Sequence, residues 1–255
     1  MPYANNQGIQ VHYQVRGKGD SLLLVHGMFE NWKTWRNHGF VEALEDTYQL
    51  IMIDVRGHNL SDKPHDPTLY DVRLLVSDLV TVLDDLDVSK AHYLGYSMGG
   101  WIGFAAAKYT PERFNSFILG GWHPYSDRPG HQPNPIPMLR EQGTEGIVTW
   151  WETAALLTEE LKSDLQATDV QALMALAQNG RADYRDILPR MSVPCLVYCG
   201  DADERHEGAR ACVQEMPDAT FVSLPGHDHL GVQFHGSDKI IPHISAFLER
   251  IRLVD

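Results

Sequence analysis

Residues 94 to 100 read Leu94-Gly95-Tyr96-Ser97-Met98-Gly99-Gly100, an apolar run that ends in Gly-x-Ser-x-Gly. A strand that must hand over to a helix through a very tight turn, with a serine hydroxyl held out on display, needs this pattern. The serine takes a strained backbone conformation, and a side chain two residues before or after it would collide with the neighbouring strand or helix. Alone the pattern is weak, because three fixed positions of common residue types arise by chance in roughly one chain in ten of this length. Its meaning depends on what the rest of the chain supplies.

On either side of it, short and nearly continuous apolar runs recur at Leu22 to Val25, Leu50 to Ile53, His92 to Leu94, Phe117 to Leu119, Leu196 to Tyr198 and Phe221 to Leu224. Such runs belong to strands buried on both faces of a mainly parallel sheet. Helical periods fall between them. Val72, Leu75, Val76, Leu79, Val82, Leu83 and Leu86 share one face of a helix from Asp71 to Leu86, and Ile240, Ile244, Phe247, Leu248 and Ile251 share one face of the last. Near the N-terminus, Ile9, Val11, Tyr13 and Val15 alternate with polar residues after Asn5-Asn6-Gln7-Gly8, which predicts an antiparallel hairpin with one buried face. The alternation of strand and helix predicts an α/β fold with a mainly parallel, doubly wound central sheet, whose sites lie beyond the carboxyl ends of the strands.

One interval breaks the alternation. Between Trp122 and Pro194 no strand pattern is found, but there is a Pro-rich crossing (Pro129, Pro133, Pro135, Pro137) followed by helical segments. Thr168-Asp169-Val170-Gln171 has the form of a capping box, with a stop at Asn179-Gly180. The expected organisation is therefore a core made of residues 1–124 and 191–255 with a helical cap or lid over residues 125–190, which Trp150 and Trp151 would help to line.

Composition narrows the function. With 255 residues and 43% apolar content the chain can bury one sizeable core. A formal charge of -13 argues against nucleic acid or an anionic membrane as partner, since both need Lys and Arg against phosphate. Met1 to Gln10 lacks a basic segment followed by an apolar one, and no apolar run approaches the roughly 18 residues of a membrane span, so the protein is expected to be cytoplasmic. Three cysteines make no disulfide framework, and Cys195 and Cys199 read as residues of a strand.

A serine hydroxyl becomes a nucleophile only when a histidine takes its proton, and that histidine needs a third group to orient it. Thirteen histidines make mere presence uninformative; position decides. The strand Cys195 to Tyr198 runs into Cys199-Gly200-Asp201-Ala202-Asp203, and the strand Phe221 to Leu224 into Pro225-Gly226-His227-Asp228-His229. Serine, acid and base thus stand in the order that such a nucleophile turn requires, with two candidates each for acid and base. His227, Asp228 and His229 do not read as a metal site, because no further ligand group with typical spacing accompanies them.

Together with Leu24-Val25-His26-Gly27-Met28, Asp54-Val55-Arg56-Gly57-His58-Asn59-Leu60-Ser61 and Val193-Pro194-Cys195-Leu196-Val197-Tyr198, the serine turn makes the chain resemble the α/β-hydrolase superfamily, in particular its small, capped, esterase-like branch. The resemblance spans nearly the whole chain. It departs at Asn59, where the family usually has glycine; asparagine tolerates the left-handed region better than other side chains. The resemblance implies Ser97 as nucleophile, Asp203 as acid with Asp201 as the alternative, and His229 as base with His227 as the alternative. It implies the backbone N–H groups of Met28 and Met98 as an oxyanion hole, with Phe29 as the fallback for the first. Phe29, His123 and Trp150 are candidates to line the substrate pocket. His26 is expected to brace its loop, and Asp54 and Arg56 to form a loop-fixing pair.

The implied activity is hydrolysis of carboxylic esters of small molecules through an acyl-enzyme, without metal or other cofactor. A serine in this place argues against the dehalogenase and epoxide-hydrolase branches, whose nucleophile is aspartate. The same machinery also serves on lactones, thioesters and carbon–carbon bonds, in peracid formation and in a lyase of the menaquinone pathway. A ligand-binding member of the fold without turnover is the reading from another class.

Overall fold

The computed structural model describes residues 2–128, 135–155 and 157–252. Its strands are β1 (Tyr3–Asn6), β2 (Ile9–Arg16), β3 (Asp20–Val25), β4 (Tyr48–Ile53), β5 (Ala91–Tyr96), β6 (Phe114–Gly120), β7 (Cys195–Gly200) and β8 (Ala219–Leu224). They form one sheet in the order β1-β2-β4-β3-β5-β6-β7-β8. β1, β2 and β4 pair antiparallel, and every pairing from β4 to β8 is parallel. The helices are α1 (Lys33–Asn37), α2 (Phe40–Leu44), α3 (Val72–Asp85), α4 (Met98–Tyr109), α5 (Ile136–Glu152), α6 (Glu159–Gln166), α7 (Val170–Ala177), α8 (His206–Cys212), α9 (His229–His235) and α10 (Ser237–Arg252).

The first hairpin turns through Gln7 (φ 53°) and Gly8 (φ 93°), two successive left-handed residues that match the twist of the strands they join. The expectation of a single buried face on β2 fails at its centre. Val11 and Tyr13 face the core as expected, but His12 on the opposite face is fully buried as well, because Asp54 and Ser61 of the loop after β4 cover it. The runs expected to be buried on both faces are so in β3, β4, β5, β6 and β7; β8 is the sheet's last strand and only Leu224 in it is buried.

Helices cover both faces. α3, α4 and α8 enclose one apolar cluster that includes Leu79, Tyr93, Phe104 and Cys212; α1, α2 and α10 enclose the other, which includes Trp35, Leu50, Ile244 and Leu248. α4 is buried nearly all round, and its residues from Met98 to Ala107 carry no charge. On α3 the apolar face holds, with one intruder: Asp78 is buried among the leucines and binds Arg56 through both carboxylate oxygens, 2.7 and 2.9 Å. Arg56 therefore does not pair with Asp54. Asp54 instead accepts from His12, the Trp32 N–H and the Asn59 side chain, so each member of the expected pair fixes a different part of the loop.

Between β6 and β7 the described residues form α5, α6 and α7 and no strand. Pro129 and Pro133 of the Pro-rich crossing lie outside the described residues. α5 is broken at Gly143, whose φ of 60° leaves helical space. α7 starts one residue later than the capping box predicts: Asp169 accepts from the Ala172 N–H, while Thr168 donates back to Asp164. A third apolar cluster joins Leu139, Ile147, Trp151 and Leu173 of this segment to Phe29 of the loop after β3 and Leu230 of α9.

The strand order places the site. From β3 the chain crosses to β4 on one side, and β5 returns to the other side of β3. At such a reversal the loops leaving the two central strands diverge and open a crevice at their carboxyl ends. Here those loops begin at His26 and Ser97.

Candidate active site

Ser97 has φ 54° and ψ -110°, the strained conformation the motif requires. It is held there from both sides: its N–H donates to Gly120 O of β6 (2.8 Å), and its carbonyl accepts from Trp101 N in α4 (3.0 Å). A side chain at Gly95 would strike the backbone of Gly99, and one at Gly99 would strike the carbonyl of Val25 in β3. The two glycines therefore let helix, turn and neighbouring strand approach closely.

His229 Nε2 lies 2.9 Å from Ser97 Oγ, and His229 Nδ1 lies 2.7 Å from Asp203 Oδ2. Asp203 is buried, with its side chain 1% exposed. Burial alone would raise its pKa; the hydrogen bond and charge of His229, with Arg205 and the Arg205 N–H, outweigh burial and hold the carboxyl well below the usual carboxylate range. An ionised carboxylate only accepts, so Nδ1 carries the proton and Nε2 is left as acceptor for the serine hydroxyl. The two alternatives face elsewhere. Asp201 accepts from Gly226 N (2.7 Å), and His227 Nε2 pairs with Lys239 Nζ (2.6 Å).

The loop after β3 is a tight turn from Gly27 to Glu30, closed by Glu30 N to Gly27 O at 3.3 Å, with Phe29 left-handed at φ 73°. His26 braces it as expected. Its Nε2 accepts from Val55 N (3.0 Å), so Nδ1 carries the proton to Gly27 O (2.7 Å), and burial pushes the ring's pKa down, keeping it neutral. The amides of Met28 and Met98 donate to no described residue. Gly27 packs against Ser97 closely enough that an added Cβ would sit 3.4 Å from the serine Cβ.

A cavity of roughly 600 Å³ opens over Ser97 and His229. Met28, Phe29, Leu230 and Gln233 wall it from the sheet side; Met138, Trp150 and Trp151 wall it from α5. Trp151 is buried against Phe29 and Phe234, whereas Trp150 meets Phe29 edge-on and stays 42% exposed. One expected lining residue is placed away from it. His123 is buried 1% exposed, its ring held against Gly208 of α8, where the absence of a side chain makes room for it. The Met98 side chain packs into the core and does not reach the cavity.

Several neighbours of the site were not singled out in the sequence. Tyr96 stacks on His229; Gly121, at φ 60°, lies under both rings; Arg205 lies on Asp203. Glu30, buried, accepts from Gly27 N (2.7 Å) and from Gln233 Nε2 of α9 (2.8 Å), and so ties the Gly27 turn to the helix that starts with His229. Burial pushes Glu30 up to about 7 although Thr34, Gly27 and Gln233 all donate to it. Tyr96 alone had a signal, its place inside the serine motif. Among the described residues no three metal-binding side chains lie together, and no helix is long and apolar enough to cross a membrane.

Residues 20–161, more than half of the chain, match the model of the alpha/beta hydrolase fold family. The chain belongs to that family. Among the curated relatives of this alpha/beta hydrolase is 3-oxoadipate enol-lactonase 2 of Acinetobacter baylyi, 29% identical over 210 residues that make up 77% of each chain. Among solved structures, the enol-lactonase of Burkholderia xenovorans LB400 superimposes with a TM-score of 0.84 at 22% identity, covering 97% of this chain and 100% of the other. A thermophilic esterase from Thermogutta terrifontis reaches a TM-score of 0.83 at 24% identity over 98% of both chains. The two structures share the fold with this alpha/beta hydrolase.

Proposed function

We propose that this alpha/beta hydrolase is a serine esterase of small-molecule carboxylic esters, with Ser97 as nucleophile, His229 as general base and acid, and Asp203 as the group that orients the imidazole. The observation that carries the reading is the unbroken line of short hydrogen bonds from Ser97 Oγ through His229 to Asp203, opening on a cavity with largely apolar walls. Ser97 Oγ adds to the ester carbonyl as its proton passes to His229 Nε2. The negative oxygen of the tetrahedral intermediate is received by the N–H groups of Met28 and Met98, which donate to no other described residue. Collapse expels the alcohol, which takes the proton from His229 and leaves an acyl-serine. Water, deprotonated by the same nitrogen, then releases the acid and restores the serine. In this scheme residues 125–190 act as a lid that sets the size and polarity of the substrate, and no cofactor takes part.

Labelling with a fluorophosphonate tests the nucleophile: a stoichiometric adduct on Ser97 is expected, and no adduct under conditions that label a known serine esterase overturns the reading. Asp203→Asn is expected to lower kcat by three to four orders of magnitude, because an amide can donate to Nδ1 and so favour the wrong tautomer of His229. A lactone is an internal ester, and the same sequence of steps opens it. The enol-lactonases among the relatives favour lactones as the first substrates to compare with open-chain esters.

A further inference from the structure

Of the described residues that line the cavity, Arg205 is the only lysine or arginine, in a chain whose formal charge is -13. Its side chain is 7% exposed. It is fixed from three directions: Nη1 donates to Asp203 Oδ1 at 3.0 Å, its own backbone N–H donates to the same oxygen at 3.0 Å, and its guanidinium sits 5.2 Å from the centre of the Trp122 ring. That arrangement uses one edge of the guanidinium and leaves the other idle. Among the described residues Nε is buried without a partner, and Nη2 donates to none of them. Asp203 cannot take both edges, because its second oxygen is occupied by His229.

A guanidinium presents a planar fork of donors that matches a carboxylate in pairs, and a buried one with donors to spare is unusual unless something else receives them. The surroundings favour an anion. Trp150, Trp151 and Met138 make the walls apolar, which strengthens a charge pair inside. Two other carboxylates stand on the cavity's border: Glu204, 3.8 Å from Arg205 Nη1 on the edge already used by Asp203, and Asp228; both are exposed, so water and salt screen them.

We propose that Arg205 is an anion subsite of this cavity and that the preferred substrates are esters or lactones carrying a free carboxylate away from the scissile bond. The proposal rests on the serine-esterase reading for what happens at Ser97, and on Arg205 alone for which molecules are chosen. Arg205 then has two duties: one edge of its guanidinium holds the acid, and the other selects the substrate.

The test compares the 4-nitrophenyl monoesters of glutaric, adipic and pimelic acids with the same compounds capped as methyl esters at the free carboxylate. For at least one spacer the wild type is expected to favour the free carboxylate by about tenfold or more in kcat/KM, the value of one charge-assisted hydrogen bond. Arg205→Gln should bring that ratio to about one, and Arg205→Lys should keep part of it. An arginine that only orients Asp203 would depress both series together and leave the ratio unmoved. A wild-type ratio near one at every spacer, or the same ratio in Arg205→Gln as in wild type, overturns the subsite. Absence of turnover in both series overturns the esterase reading instead. Calorimetry of the Ser97→Ala protein with both series then decides the subsite separately: tighter binding of the free carboxylate that vanishes when Arg205→Gln is added supports it, and equal binding of free and capped esters overturns it.

Discussion

Tyr96 and His229 meet twice. Their rings stack with centroids 5.2 Å apart and planes 26° apart, and the Tyr96 hydroxyl donates to the His229 carbonyl at 2.6 Å. Tyr96 is the last residue of β5 and immediately precedes Ser97, so one side chain carries the position of the serine turn to the start of α9. The proposed nucleophile and base lie 132 residues apart in the chain, and this contact sets the distance between them.

Tyr96→Phe keeps the ring and removes the hydroxyl, leaving the His229 carbonyl without that donor. A stability loss of about 1 kcal/mol in urea denaturation and a several-fold fall in kcat with little change in KM are expected. Wild-type kcat in a correctly folded Tyr96→Phe protein would show that the hydroxyl does not position the base.

Gly121 lies beneath both rings. At φ 60° any side chain is strained there, and an added Cβ would stand about 3.0 Å from His229 Cε1 and closer still to the Tyr96 ring. Gly121→Ala should displace the imidazole and lower kcat by ten- to a hundredfold, the order of loss expected from a misplacement approaching 1 Å. The measurement is kcat on a short-chain ester, with circular dichroism to show that the sheet is intact.

Glu30 predicts how stability depends on pH. Its carboxyl titrates near 7 when folded, against about 4.5 for the exposed side chain, so between those values the folded state holds a proton that the unfolded state has lost. Its contribution is fully present below about pH 4.5 and is lost as pH rises towards 7, to an upper limit of roughly 3 kcal/mol. Glu30→Gln stays neutral and keeps an oxygen for Gly27 N, so it should flatten this slope and be more stable than wild type at pH 8. Denaturant midpoints at pH 5 and pH 8 read the difference; equal slopes for both proteins would contradict the assignment.

Arg56 and Asp78 form a buried ion pair, each about 2% exposed, with Asn6 donating to the same carboxylate. Breaking such a pair leaves a charge in the interior, and Asp78→Ala is expected to cost about 3–5 kcal/mol. Arg56→Met with Asp78→Leu should recover most of that loss, as double-mutant denaturation would show.

The fold was legible because its signals are local. Six apolar runs and two helical faces each fix an element from the chemistry of a few neighbouring residues, and the elements occur where those patterns lie. The serine turn was equally plain, since its serine and glycines stand within five consecutive residues, although Gly99 is demanded by the Val25 carbonyl of β3 and not by the turn alone. Asp203 and His229 were reachable only as loop positions after given strands, and the chain alone left Asp201 and His227 open. The structure separates them by direction: Asp201 turns to Gly226 and His227 to Lys239, while Asp203 and His229 turn to each other.

What failed in the reading failed at long range. Asp54 and Arg56, two residues apart, were expected to pair; each finds its partner from another element, because a buried charge follows the geometry of the whole interior. His123 lies at the end of a central strand, as a pocket residue would, yet the small Gly208 draws it inward. The sequence by itself determined the order of strands and helices, the strained serine and the short set of loops from which an acid and a base had to come, since periodicity and steric exclusion act between near neighbours. Only the tertiary structure decided which carboxylate meets which histidine, that Arg205 faces the cavity with donors to spare, and that Glu30 joins two loops of the site. Those outcomes depend on burial and hydrogen-bond direction between segments far apart in the chain, and no local pattern encodes them.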